Sequence, residues 1–550
     1  MGVPRILDSR EYLAHRRLGL TAGWAEREAL DPTGAGLQML LHVRMGGADM
    51  RAATGSVQLG SVAGVTMVYS PLLLKEFELQ ESYEPGSGGT GARSVTASLP
   101  NAIVSAASLI ASGLLLAGEG EVAIGFDGGI FEERHVLLDG ELVGGVSFGG
   151  LGEPVEFQLA DASETAGYLV TPHVVDANRW PSAATSAVGQ RYPLIFNKWS
   201  SVPALFVDNQ IFVCCVAEAG IDDSAVSAVY VDGESIAAGD AVYGWAVSNA
   251  TDSAGVPYVR LFFNGSATIE SEDIAVDIQG SSTAWTYLHQ LCEHLLLAYT
   301  SLGRRRVNFD LLGGIRAQLG SVPVKLLVNG SSESSSADAL SILEDRVASS
   351  FPMICFGWVD GRYGPIVTDG RAPSRAELVE GIQLLRRASA VQESDKRDIA
   401  NNFTVRFNYD SVENTFAGVA TRDTSTSILC SRSAGVVGSR FAPVLDADLI
   451  YQQADAEMVV DWLVYHRAMP SYLVEYDVPT IAAMRLRLGW NVTLFLPSLG
   501  FSSGVIGTIV GRTFRRSVST LAFRLWWAGI AGSGSGGGGA SAPSVPGAGQ

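Results

Sequence analysis

The sequence predicts a multidomain, mainly β protein that carries one α/β module. Three observations lead there. The chain has 550 residues, room for roughly three to five domains at about 100–200 residues each. It holds 62 glycines but only 17% charged residues, a composition of many turns and short strands. Runs in which apolar and polar residues alternate recur from residue 56 to residue 526, whereas helical spacing is confined to a few segments.

In order along the chain, residues 1–50 read as an N-terminal arm of mixed character. Residues 51–165 read as a first β domain, with strand-like runs at 57–69, 73–80, 94–99, 121–126 and 135–143, and alternation at Val155, Phe157 and Leu159. Residues 166–280 form a β-rich module that includes IFVCCVAEA and a turn at Asp232-Gly233. In residues 281–395, Ser281-Ser-Thr283 offers an N-cap, and Trp285, Leu288, Cys292, Leu295 and Tyr299 share a helical face. A second helix after Ser336 points Leu340, Leu343 and Val347 inward, and a hairpin follows that turns at Asp360-Gly361. Residues 396–530 are β again: a strand at 402–409, a helix at 455–467, and long strands over 472–478, 485–496 and 505–526. Residues 531–550 are a Gly/Ser/Ala/Pro linker with almost nothing to bury.

Several motifs carry the form of a site without its context. Gly145-Val-Ser147-Phe-Gly149 spells the G-x-S-x-G of a hydrolase nucleophile elbow, which needs a helix immediately after the serine. Here Phe148-Gly-Gly-Leu-Gly-Glu-Pro follows, so the expected context is strand–loop–strand. A triad would also need a histidine and an acid later in the chain, and His173 has no supporting motif. The glycine-rich run at 85–91 lacks the Gly-Lys-Ser/Thr ending of a phosphate loop. His289 and His294, with Glu293 between them, are five residues apart and diverge by about 140° on a helix, the wrong spacing for a shared zinc. Five scattered cysteines (Cys214, Cys215, Cys292, Cys355 and Cys430) form no C-x-x-C pair and read as buried thiols in a reducing compartment. No catalytic, cofactor-binding or metal-binding residues are therefore expected.

The N-terminus has no apolar core of a signal peptide, and the apolar stretch Ala102–Ala117 falls short of the ~20 residues that span a bilayer. A net charge of −19 disfavours nonspecific adhesion to nucleic acid but does not forbid DNA as a passing neighbour. Arg304-Arg305-Arg306, the one strong cationic run, reads as a solvated loop or as a contact to a partner.

Four segments, in order, resemble the tail-tip (baseplate) hub proteins of long-tailed bacteriophages and related phage-derived particles. They are GEPVEFQL at the end of the first β domain, YPLIFNKWSSVPALFV, and ALSILEDRVASSFPMICFGWVDGRYGPI. The last is DADLIYQQADAEMVVDWLVYHRAMPSYLVEYDVP with LRLGWNVTLFLP and VGRTFRRSVSTLAFRLWW after it. The resemblance spans about residues 50–530 and rests on block order. It implies two tail-tube-like β-barrel domains, 51–165 and 396–530, in a structural, non-enzymatic virion protein at the tail tip, assembled in the bacterial cytoplasm. It further implies a homotrimeric ring that closes a hexameric tail tube and lines the DNA exit channel. The implied partners are the tail tube or distal tail protein, a tape-measure protein and a central fibre or spike, with no cofactor. The other readings are a serine hydrolase or glycan-active tail enzyme using Ser147, and a carbohydrate-binding adhesin.

Overall fold

The computed structural model describes residues 36–45, 48–73, 75–87, 89–90, 93–100, 118–148, 153–161, 173–208, 211–216, 226–266, 269, 274–279, 286–328, 338–410 and 414–527. The apolar stretch 102–117, the N-cap at 281–283, Trp285, parts of the 85–91 run and the linker 531–550 lie outside them. So does the arm as far as residue 35.

The first sheet is built from strands β1 (Leu37–Met45), β2 (Ala48–Ala53), β6 (Ser94–Leu99), β7 (Glu119–Phe126), β8 (His135–Phe148) and β9 (Val155–Asp161). Its order is β2-β1-β7-β8-β9-β6, antiparallel throughout. β1 corrects the expectation of an arm ending near residue 50. It is a central strand with Leu37, Met39, Leu41 and Val43 in one core and Leu40 in another. A strand buried on both faces shows no alternation, so its sequence does not announce it. The single run expected at 57–69 is a hairpin, β3 (Val57–Gly60) and β4 (Thr66–Tyr69).

The last sheet contains β12 (Glu377–Val379), β13 (Arg386–Arg387), β14 (Ser471–Pro479), β15 (Asn491–Leu496), β16 (Phe501–Phe514) and β17 (Val518–Trp526). Their order is β12-β15-β16-β17-β14-β13. The two edge strands are separated by six residues of the chain and are drawn together by a turn in which Gly381 N donates to Leu384 O at 2.8 Å. The sheet thus curls towards a barrel. The expected strand at 485–496 begins only at Asn491, because helix α6 (Thr480–Met484) and a turn fill the space before it.

The two sheets repeat one motif. In the first, β6 leads across to the meander β7-β8-β9, and β9 pairs back onto β6. In the last, β14 leads through α6 to the meander β15-β16-β17, and β17 pairs back onto β14. Every pairing is antiparallel, and the middle strand of each meander has 14 residues. Neither copy is self-sufficient. Strand β5 (Leu79–Ser82), which belongs by sequence to the first, pairs with the far half of β16 in the last. One hydrophobic core accordingly runs through both, from Leu41 and Val122 to Leu494 and Phe523.

Between the repeats, two four-stranded sheets spanning 198–279 close over a core that includes Trp199, Phe212 and Cys214. The α/β module follows, with helices α1 (Leu288–Ala298), α2 (Gly303–Arg306) and α3 (Phe309–Leu319). A helical stretch at 339–350 buries Leu340, Leu343 and Val347 as expected. The hairpin β10 (Ile354–Val359) and β11 (Arg362–Val367) turns at Asp360 and Gly361 with φ of 53° and 69°, the geometry of a tight two-residue turn. Cys355, Val359 and Ile366 face the core shared by the repeats, while Phe356, Trp358 and Tyr363 face the helices. Helices α4 (Ile428–Val437) and α5 (Gln453–Arg467) complete the segment ahead of the last sheet.

Candidate functional site, a buried ionic joint

The polar residues that the fold gathers most tightly lie where β5, the β10–β11 hairpin and both repeats meet. Glu81 on β5 falls on the same face as Leu79, and so points into the core. Arg512 on β16 faces it: Nε donates to Glu81 Oε2 at 2.9 Å, Nη1 to Leu486 O at 2.7 Å and Nη2 to Asp360 Oδ1 at 2.9 Å. Arg93, just before β6, forks onto Asp161 at the end of β9, with Nε at 2.8 Å and Nη2 at 3.1 Å, and also donates to Glu81. His135 Nε2 lies 3.2 Å from Asp360 Oδ1. The side chains of Glu81, Arg512 and Asp161 are fully buried.

Electrostatics sets the ionisation of this cluster. Burial alone would raise the Asp360 carboxyl, but Arg512 and His135 outweigh it and hold the group far below the usual carboxylate range. Burial likewise opposes charge on Arg93 and Arg512, and the facing carboxylates overcome it, so both titrate above their ordinary value. Such a cluster contributes little net stability, since desolvation roughly offsets attraction, yet removing one member leaves a buried charge uncompensated. Through directional hydrogen bonds it links β5, β9, β16 and the β10–β11 turn.

A cleft of about 330 Å³ opens beside the joint, with His135, Asp139, Arg305, Asp310, Asp360 and Arg487 among its lining residues. Its charges pair across it. Arg305 donates to Asp139 at 2.7 Å, and Arg306 lies 3.6–3.7 Å from Glu119, Asp139 and Glu141. Arg487 donates to Asp310 at 3.3 Å. The arginine run is a short helix, α2, rather than a loop: Arg304 and Arg305 remain exposed, while Arg305 and Arg306 tie the α/β module to β7 and β8 of the same chain. The arrangement holds these elements together.

Ser147, His173 and the histidine pair at 289 and 294 belong to different segments of the fold. Ser147 lies within β8, its backbone opposite Glu156 of β9, and β8 continues to Phe148. His173 is placed by its carbonyl, which accepts from Tyr192 N at 3.0 Å. On α1, His289 stacks on Tyr287, and burial lowers its pKa. His294 packs edge-on against Phe196 and Tyr299. Among the described residues no three His, Cys, Asp or Glu side chains stand together as metal ligands. Cys214 and Cys355 are buried free thiols that desolvation pushes up to about 12, out of the reactive range.

No family model matches the chain, and no curated protein matches it significantly. Among solved structures it is similar to the 43 kDa tail protein of prophage MuSo2 from Shewanella oneidensis, at 10% identity and a TM-score of 0.33, over 88% of this chain and 98% of that one. It is also similar to prophage tail protein gp18 from Listeria monocytogenes EGD-e, at 9% identity and a TM-score of 0.36, over 86% and 94%. Both are prophage tail proteins. A third similar structure is the lidded Francisella PdpA–VgrG complex, at 7% identity and a TM-score of 0.28, over 90% of this chain and 53% of that one.

The joint residues Glu81, Arg93, Asp161, Asp360 and Arg512 escape motif reading because they belong to no motif. A signal does exist. Leu79, Glu81 and Tyr83 alternate inward, as do Val510, Arg512 and Phe514, so each charge occupies a core position of its strand.

Proposed function

We propose that the chain is a structural protein of a phage tail or phage-derived particle, acting as the baseplate or tail-tip hub. In this reading three copies form a ring that closes the hexameric tail tube, anchors a fibre or spike distally and lines the DNA exit channel, without enzymatic activity. The observation that carries the reading is the internal repeat: β6-β7-β8-β9 and β14-β15-β16-β17 share strand order, pairing direction and a 14-residue middle strand. Three chains with two such units each supply six equivalent faces, as a six-fold tube requires. The ionic joint fits the same role, because it fixes the angle between units that must meet successive tube subunits. The four sequence segments that resemble hub proteins support it from another direction, and the surplus of 19 negative charges suits a wall past which DNA moves.

Imaging of the particle with symmetry determination tests the reading. A three-fold ring of this chain at the tail tip, its two repeats alternating around the axis, is the expected result. A single copy per particle, or a place on the outer fibres, overturns it.

A further inference from the structure

Two apolar patches stand out on the described surface, and they carry opposite charge. The first is the tip of the β3–β4 hairpin, where Val62, Val65 and Val68 are 76%, 54% and 50% exposed. Residues 55–74 contain no charged side chain. The neighbouring segment 127–133, DGGIFEE, contributes three acids and no base. It is fastened to the hairpin: Gly60 N donates to Gly129 O at 3.0 Å, and Glu132 accepts from Ser61 Oγ at 2.6 Å and Val62 N at 3.1 Å.

The second patch lies on α4 and the loop after it. Ile428 and Val436, eight residues apart on one side of the helix, are 75% and 76% exposed, and Phe441 reaches 81%. Val444 extends the patch at 52%. Asn401 ties the loop to the helix, donating to Ser433 Oγ and Gly438 O and accepting from Arg440 N. In residues 424–444 the only charges are Arg432 and Arg440.

Scattered exposed apolar residues need no explanation, but clusters of large ones rimmed by polar groups mark contact surfaces. We propose that the hairpin tip of one copy docks on the α4 patch of the next, a head-to-tail contact between different surfaces of identical chains. Acids flank one surface and arginines the other, so two copies attract in this orientation, whereas either patch facing its own kind brings like charges together. A contact between unlike patches leaves one of each open at the ends of every chain of copies, and repetition closes it into a ring when the rotation from copy to copy returns to the start. Closure at three copies rests on the hub reading above; the pairing of the two patches does not.

The test uses two full-length variants. Val62→Asp with Val65→Asp spoils the hairpin tip, and Val436→Asp with Phe441→Asp spoils the α4 patch. All four positions are on the surface, and matching circular dichroism and melting curves establish that each variant folds. By light scattering the wild-type chain forms a closed oligomer, each variant alone is a monomer, and an equimolar mixture forms a dimer and nothing larger. The mixture has one intact tip and one intact patch, on different chains. Arg432→Glu slows association and leaves dissociation nearly unchanged. Either variant retaining the wild-type mass overturns this pairing while leaving the hub reading standing, and so does a mixture that stays monomeric. A wild-type chain that is monomeric at every concentration overturns both.

Discussion

Glu81 and Arg512, 431 residues apart in the chain, form a fully buried ion pair in which the arginine Nε donates to the carboxylate at 2.9 Å. The pair ties a strand of the N-terminal repeat to the central strand of the C-terminal one. Through Asp360, it ties both to the hairpin turn between them. Two sheets that could each have been a separate domain thereby share a core.

Replacing Arg512 with Met should destabilise the chain by about 3–5 kcal/mol, because Glu81 and Asp360 are left buried with a partner missing. Replacing Glu81 and Arg512 together with Leu and Met should cost less than Arg512→Met alone. Thermal or urea unfolding of the three chains checks the order. Equal losses in the single and double variants would mean that the charges do not act as a pair.

His466 predicts that the fold loses stability in acid. Its Nε2 accepts from Gly370 N at 3.1 Å, so Nδ1 carries the proton and donates to Trp462 O at 2.8 Å, and the ring lies between Trp462 and Trp526. Burial lowers its pKa to about 3. The folded state therefore refuses a proton that the unfolded chain takes up below about 6.5, and stability falls as pH drops from 6.5 towards 3, by roughly 1.4 kcal/mol per pH unit. Urea unfolding at pH 4, 5 and 6 should show His466→Leu less stable at neutral pH but with a shallower pH dependence, by about one proton. Parallel curves would show that His466 does not carry this slope.

Gly140 should not tolerate a side chain. A Cβ there would lie 1.8 Å from Ala160 O, a backbone atom of the neighbouring strand that cannot move aside. Gly140→Ala should cost about 3 kcal/mol by forcing β8 and β9 apart beside Asp161 of the ionic joint. The melting temperature measures it, and a loss below ~1 kcal/mol would show that the strands yield.

Ser147→Ala should leave folding, association and particle assembly as they are. The residue sits in a strand opposite Glu156, where a nucleophile elbow would need a helix. An esterase assay on the purified chain and on the variant checks this, and an activity lost with that hydroxyl alone would revive the hydrolase reading.

Local pattern carried much of the fold. Alternation locates β9, whose burial pattern is strictly periodic, and it places Val474, Tyr476 and Val478 on one buried face of β14. The Asp360-Gly361 and Asp232-Gly233 dipeptides mark their turns because both residues adopt positive φ. Helix α5, expected at 455–467, runs from Gln453 to Arg467. What escapes is whatever depends on distant partners. β1 reads as part of an arm because both its faces are buried, and α4 is missed because SILCSRSAGVV has a weak apolar stripe that leaves Ile428 and Val436 in solvent. Neither the pairing of β5 with β16 nor the docking of the arginine run on Asp139 leaves any trace within a window of neighbouring residues.

The insertion of β5 into the far repeat has a consequence for synthesis. At about 5–20 residues per second, a ribosome needs roughly 20–90 s to make the 431 residues that separate Glu81 from Arg512. Throughout that interval the early strand has no mate, and the N-terminal half cannot reach its final form. A chain cut short before residue 501 never acquires β16, the strand that receives β5. Synthesis through β17 is thus a condition for forming the shared core, and chains that stop short of it are kept out of any assembly that recognises the double unit.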